Sequence, residues 1–340
     1  MTMANATLSD VARLAGVSPI TASRAIRKSP QVTEATREKV RAAAASLNYT
    51  PNSAARALAT GHSGFLAVLI PSVTNAVFAD VLSGAFSVAD DLGLTLQLVN
   101  TGYSAQREED ALRLILNQRP SGIIVSGIDQ TDASRRMLEG VQVPLVQIMD
   151  LCDDPIDMMV GFSHAKAAAA AAAHLLDMGY RHPAALAAQL DPRTIRRMTG
   201  FSDGLRAAGH PEPDRIQRTD APSGFAVGGQ LLRDLMARRP DTDCVFCNND
   251  DLAIGALFEA QRLGLSVPHR LGICGFNNLE AVGATEPGIT SVKTNRFEMG
   301  RLAVQKVSRI AGTKDGTPPV VDLGFEVIAR ASTRRTPTAG

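Results

Sequence analysis

The sequence predicts an α/β protein: a small all-α head followed by a two-lobed body built on parallel sheets. Three observations lead there. Charge divides unevenly along the chain. Apolar residues keep helical spacing up to about residue 47, then switch after residue 63 to strand–helix alternation. That alternation runs twice. The 340 residues suffice for more than one domain. A hydrophobic fraction of 45% with 20% charged residues is that of ordinary globular chains.

Taken whole, 35 basic against 34 acidic residues leave a net charge of +1, which argues against a nucleic-acid partner. The total hides a split. Residues 1–60 hold eight basic side chains (Arg13, Arg24, Arg27, Lys28, Arg37, Lys39, Arg41 and Arg56) and three acidic ones (Asp10, Glu34 and Glu38), a charge of +5. The other residues carry 27 basic and 31 acidic groups, a charge of −4. A basic head on an acidic body marks a domain boundary and concentrates charge where phosphate contact would need it.

In the head, Thr7-Leu8-Ser9-Asp10 reads as a capping box, and Leu8, Val11, Ala12 and Ala15 recur on one helical face. Gly16 ends that helix by allowing a left-handed residue. Ser18-Pro19 restarts one, with Ser18 as cap and Pro19 where its missing N–H costs nothing. A third helix begins at Thr33, with Val40, Ala43 and Leu47 as its inner face. Two short helices joined by a glycine turn form a helix-turn-helix, whose second helix enters the major groove of DNA.

The wording of this head is specific. TLSDVARLAGVSPITASRAI and the following QVTEATREKVRAAAASLNYTPNSAARALATG closely resemble the LacI/GalR family of bacterial repressors. The resemblance implies that Thr7, Ser18, Pro19, Ile20, Thr21, Ser23 and Arg24 face operator DNA. Pro19 and Ile20 occupy the two positions that set operator choice in the family. Neither is a polar base reader, so apolar contact, for instance with a thymine methyl, is left to Ile20. Packing of Ile20 against the third helix is the alternative. Arg24 suits guanine or phosphate. After Pro51, Asn52 can cap a short helix over residues 53–59, too short to persist alone in water. By resemblance, residues 51–62 form a hinge that folds on DNA, with Leu58 wedged into the minor groove and Arg56 and Asn52 beside it.

From residue 63 the body alternates. Strands are predicted at 65–70, 94–99, 122–126, 144–149, 183–188, 244–247 and 271–275. Helices are predicted around 77–91, 111–116, 166–178, 194–207, 228–238 and 252–263. Such alternation gives parallel sheets covered on both faces, with ligands at the carboxyl ends of strands. The body also resembles the periplasmic-binding-protein-like core of the same family. That implies three crossings between lobes, one lobe holding 64–161 and 293–324 and the other 162–292 and 325–340. PSVTNAVFADVLSG, MVGFSHAKAA, LDPRTIRRMTGF, VFCNNDDLAIGALFEAQRLGLSVP and GFNNLE resemble the gluconate-type repressors most, which implies a gluconate- or 2-ketogluconate-like effector.

Candidate cleft residues follow predicted strands: Asn75 and Phe78 after the first, Ser126 after the third, Asp150 after Met149, Asn249 and Asp250 after Cys247. Asp150 is expected to bind a pair of ligand hydroxyls, and Phe78 to stack on a sugar face or join the core. By resemblance, Arg197 holds the ligand, and its fork suits a carboxylate. Asn277 stands where many relatives carry a sugar-binding aspartate, a change that suits an anion. Lys293 and Arg296 would add positive charge, while Arg193 and Arg196 read as surface charges.

Cys244 and Cys247 are three apart in a strand and point to opposite faces, so no metal or redox pair is expected, and no cofactor. The six histidines show no ligand spacing. No signal-peptide pattern follows Met1, and Phe65–Ile70 is too short to span a bilayer, so a cytoplasmic protein without membrane contact is expected. The expected function is a non-enzymatic, effector-controlled regulator of carbohydrate catabolism. It would bind a palindromic operator, as a dimer rather than a tetramer given the polar end ARASTRRTPTAG. A neutral-sugar regulator, a sugar-acid binding protein without a DNA role, and an enzyme resting on Asp250 and Asp251 are the alternatives.

Overall fold

The computed structural model describes residues 6–26, 29–50, 64–212, 214–308 and 318–335. The chain divides into two units, Met1–Gly64 and Phe65–Gly340, each taken in turn. In the first, α1 (Leu8–Ala15) starts from Thr7. Its hydroxyl accepts the Asp10 N–H at 3.3 Å, while the Asp10 carboxylate accepts the Thr7 N–H at 3.0 Å. This box satisfies two donors that a helix start leaves open. Gly16, at φ +68, ends the helix in the left-handed region, which a Cβ would strain. α2 (Pro19–Ile26) is capped by Ser18, whose Oγ accepts the Thr21 N–H at 3.1 Å. α3 (Glu34–Ser46) is capped by Thr33. Val11, Ala12, Ala22, Ala25, Val32, Val40 and Ala43 form the head core, with Leu47 packed at its margin. The hinge residues Asn52, Arg56 and Leu58 lie outside the described residues.

The body begins with β1 (Phe65–Ile70), α4 (Ala76–Asp91), β2 (Thr95–Asn100), α5 (Ala105–Asn117), β3 (Gly122–Ser126), α6 (Asp132–Glu139), β4 (Leu145–Ile148) and β5 (Met158–Gly161). The chain then crosses to α7 (His164–Asp177), β6 (Pro183–Ala188), α8 (Pro192–Ala207), β7 (Ile216–Thr219), α9 (Phe225–Arg238), β8 (Cys244–Cys247), α10 (Asp250–Arg262), β9 (Gly272–Asn277), α11 (Glu280–Ala284) and β10 (Thr290–Thr294). It returns for α12 (Arg296–Val307) and β11 (Val320–Asp322), and ends with β12 (Phe325–Ile328). Two six-stranded sheets result, ordered β11-β5-β4-β3-β1-β2 and β12-β10-β9-β8-β6-β7.

Every pairing is parallel except β10 with β12. Topology explains the exception. The parallel strands end at the cleft between the lobes, and all three crossings leave from that edge. β12 enters its sheet from the cleft side and must run away from it. The boundary expected at residue 293 falls inside β10, because Lys293 pairs with Asn277 and Glu326 and the strand runs to Thr294. The crossing therefore comes after the strand. The strand–helix alternation read from the sequence does not include β5, β7, β10, β11 and β12, nor α6, α11 and α12.

Central strands are buried on both faces, which explains continuous apolar runs such as Phe65–Ile70 and Cys244–Cys247. Cys244 faces one core cluster and Cys247 the other, so the pair does point to opposite faces of the sheet. Helices meet through glycines. A Cβ at Gly300 in α12 would overlap the Val81 carbonyl of α4, and one at Gly200 in α8 would overlap the Ala165 backbone of α7. One apolar cluster continues from the first sheet through Met149, Phe162 and Phe276 into the second. Among the described residues, no helix is long and apolar enough to cross a membrane.

Candidate DNA-reading helix and effector cleft

On the head, Ser18, Pro19, Ile20 and Arg24 lie exposed along the start and outer side of α2. Ile20 is 65% exposed, so it does not pack against the third helix. Thr21 and Ser23 are half-buried on the same helix. The Ser18 and Thr21 hydroxyls lie 2.8 Å apart, which fixes the helix start. Thr7 is exposed but spends its hydroxyl and N–H on Asp10. An exposed isoleucine in the first turn with an exposed arginine one turn on is what a major-groove reader presents.

In the body, segments following strands of both sheets converge on one cleft. It is lined by Asn75, Phe78, Tyr103 and Met149 from the first lobe. Gln189, Arg193, Arg197, Ser223, Asn249, Asp251 and Asn277 line it from the second. Ser126, Glu108, Asp129 and Gln130 line an adjoining chamber. Among these, Tyr103, Met149, Gln189 and Asn277 adopt positive φ (+58, +80, +50 and +109). Such angles cost energy for residues other than glycine and cluster where function constrains the chain.

Three arginines project from the first turns of α8, and the fold treats them differently. Arg197 is buried with its guanidinium 4.0 Å above the Phe276 ring. Its Nε donates to His164 Nδ1 at 3.1 Å and its Nη1 to the Asn248 carbonyl at 2.6 Å. No carboxylate among the described residues forms an ion pair with it. Burial lowers its pKa to about 10, still fully charged at neutral pH. Arg193 and Arg196, expected as surface charges, instead bridge the lobes. Arg196 pairs with Asp129 and, at 2.9 Å, with Asp150. Arg193 donates to Ser126 Oγ at 3.3 Å and to Asp191 at 3.2 Å, and lies over Phe78 and Tyr103.

The expected cleft residues thus divide. Asn75 caps α4 through the Val77 N–H at 3.0 Å and donates to the Tyr103 hydroxyl at 3.0 Å. Asn249 caps α10 through the Leu252 N–H and donates to Ser223 Oγ at 2.6 Å. Phe78 is buried yet lines the cleft. Asn277 is buried, and its Oδ1 has no hydrogen-bond partner among the described residues. Asp150 is buried, its oxygens accept from Arg196 and the Leu151 N–H, and burial raises its pKa. Lys293 is half-exposed on β10, 3.9 Å from Glu326, and does not line the cleft. Arg296 is buried instead, pairing with Asp80 at 2.6 Å and with the Asn277 carbonyl.

Asp250 and Asp251 do not act together as a pair of catalytic carboxylates. Asp250 is fully buried and accepts from Ser291 Oγ at 2.6 Å and the Leu279 N–H at 2.7 Å, tying α10 to β10 and to the segment after β9. Burial pushes it up to about 7. Sequence reasoning missed Tyr103, Gln189 and Ser223; the strand-following rule applied to β2 and β6 reaches the first two, and Ser223 follows β7, a strand the sequence did not mark. Nothing local marked His164.

Residues 7–52 match the family described as bacterial regulatory proteins, lacI family. Residues 63–322 match the periplasmic binding proteins and sugar binding domain of LacI family. The chain is 43% identical over 327 residues to the HTH-type transcriptional regulator GntR of Pseudomonas aeruginosa, covering 96% of this chain and 95% of that one. It is 38% identical over 320 residues to the regulator of the same name from Escherichia coli strain K12, covering 94% and 96%. A solved LacI family regulator from Silicibacter pomeroyi superposes with a TM-score of 0.90 at 33% identity, covering 97% of this chain and 100% of that one. The lac repressor dimer bound to operator and the anti-inducer ONPF superposes at 0.84 with 25% identity, covering 97% and 99%. With a helix-turn-helix head and a two-lobed body each matching along nearly its whole length, this chain is a DNA-binding transcription regulator, not an enzyme, and belongs to the LacI family.

Proposed function

We propose that the effector is a sugar acid of the gluconate or 2-ketogluconate class, bound between the lobes with its carboxylate on Arg197. The observation that carries this is a buried guanidinium lining the cleft with no carboxylate of its own, while its neighbours on the same helix are paired. A buried cation without an anion is costly, and a ligand carboxylate would offset that cost. The unpartnered Asn277 Oδ1 suits a ligand hydroxyl, and Phe78 offers a face to carbons of the chain. Relatives named GntR support the same assignment.

The regulator acts in the cytoplasm as a dimer on a palindromic operator, α2 of each copy in one major groove and Leu58 of each hinge at the centre. Effector binding shifts the lobe equilibrium and so biases the paired hinges. Calorimetry of the full chain against gluconate, 2-ketogluconate and glucose tests the ligand. Arg197→Ala is expected to weaken sugar-acid binding roughly 100-fold, the scale of a lost charge-assisted pair. Tighter binding of glucose by the parent, or an unchanged Arg197→Ala, would sink the assignment.

A further inference from the structure

His164, at the start of α7 just after the first crossing, contacts both lobes. Its Nε2 lies 2.8 Å from the Met149 carbonyl oxygen at the end of β4. A carbonyl only accepts, so Nε2 carries the proton. Its Nδ1 lies 3.1 Å from Arg197 Nε. A guanidinium only donates, so Nδ1 is the acceptor. The ring is fully buried, 4.4 Å from Phe162 and 6.0 Å from Phe276 between centroids. Met149 holds φ +80, an uncommon angle for a long side chain, and from there its carbonyl accepts the imidazole.

We infer that His164 is a positioning residue for effector binding, holding the Arg197 guanidinium in place over Phe276 while anchoring it to the first lobe through Met149. This rests on Arg197 meeting the effector carboxylate. An arginine has several free torsions, and fixing its Nε edge beforehand removes ordering entropy from the binding step. With Nε on His164 and Nη1 on the Asn248 carbonyl, Nη2 is left to face a ligand. The imidazole must stay neutral for this. Burial lowers its pKa well below the usual value, and the charged groups acting on it, Arg197, Arg193 and Arg196 of α8, push the same way. No carboxylate among the described residues pairs with it.

Two substitutions separate the two contacts. His164→Asn keeps an acceptor at the Nδ1 position, and His164→Gln keeps a donor at the Nε2 position. In the full-length protein, His164→Asn is expected to bind gluconate within about threefold of the parent. His164→Gln is expected to lose at least tenfold, with similar small drops in Tm for both. A residue needed only for stability would not give that split. In the ligand-free chain, nitrogen NMR should find His164 neutral, with its proton on Nε2, at a pH below the usual histidine value. A slowly exchanging Arg197 Nε–H should persist in the parent and His164→Asn but not in His164→Gln. His164 titrating near its usual value, or an Arg197 signal alike in all three proteins, would overturn the inference. So would equal gluconate affinities in the two variants. Failure of the parent to bind any sugar acid would instead remove the assigned effector, and the NMR comparison would still decide whether His164 holds Arg197.

Discussion

The head and the body place their working residues in opposite ways. On the head, Ser18, Pro19, Ile20 and Arg24 come from one short window and stand exposed on one helix. In the body, the cleft draws on strand ends from residue 75 to residue 277 and buries its central arginine. A reader of a large external polymer needs side chains already in solvent. A sensor of a small molecule needs polar groups withdrawn from water, where each interaction is stronger and more selective. The carboxylates of the head and of the cleft region follow the same division, whereas body carboxylates bonded to arginines, such as Asp214 and Glu298, are held low. Asp10 in the head is held low by its bonds to Thr7. In the body burial raises Glu108 to about 7, Asp250 to about 7, and Asp150 and Asp251 in the same direction.

Substitutions confined to one region should leave the other untouched, and the largest effect is expected where backbones meet. Gly200→Ala would drive a methyl into the Ala165 backbone and destabilise the body by about 3 kcal/mol, the upper range for overpacking. Calorimetric melting should show a lower body transition, while α1–α3 amides keep their chemical shifts. Disturbed head shifts would mean the two regions are not separable.

Arg24→Ala should weaken operator binding by roughly 10- to 100-fold, on the order of 1–3 kcal/mol. Titration with labelled operator measures it, and calorimetry should find effector affinity unchanged. A parallel loss of effector affinity would break the comparison.

Asp250 sets a pH test. Its folded pKa of about 7 lies above the ordinary 3.8. The folded body therefore holds that proton where the unfolded chain has released it. Stability falls as pH rises from about 4 to about 7. Asp250→Asn removes the dependence, so urea midpoints of variant and parent should diverge in the variant's favour across that window. His164 acts with the opposite sign below about pH 6.5, since the unfolded chain gains its proton first, and it is common to both proteins. Parallel midpoints would place Asp250 outside the pH response.

Thr7→Ala should cost about 1 kcal/mol through loss of the cap. Hydrogen exchange in the first turn of α1 should quicken, with the body unaffected.

Legibility follows the same line. Thr7, Asp10, Gly16, Ser18 and Thr33 act on neighbours two to four residues away, so their roles can be read from the sequence of the head. In the body, strand-following positions such as Asn75, Phe78, Asn249 and Asn277 do line the cleft, because parallel strands deliver their ends to one edge. The sequence reads Asp150 as facing ligand and Arg196 as facing solvent, yet they meet 2.9 Å apart across the lobes. Lys293 was drawn toward the cleft by its place near a crossing, but strand alternation and Glu326 carry it away.

By itself, the sequence determined a capped three-helix head, a doubly alternating α/β body and the family to which both belong, because helix caps, turns and apolar periods are short-range. Which arginine stays free of a carboxylate, which carboxylates are consumed as lobe ties, and that a neutral histidine holds Arg197 were decided only by tertiary structure. Charges choose partners by distance and burial, and both are set by segments far apart in the chain.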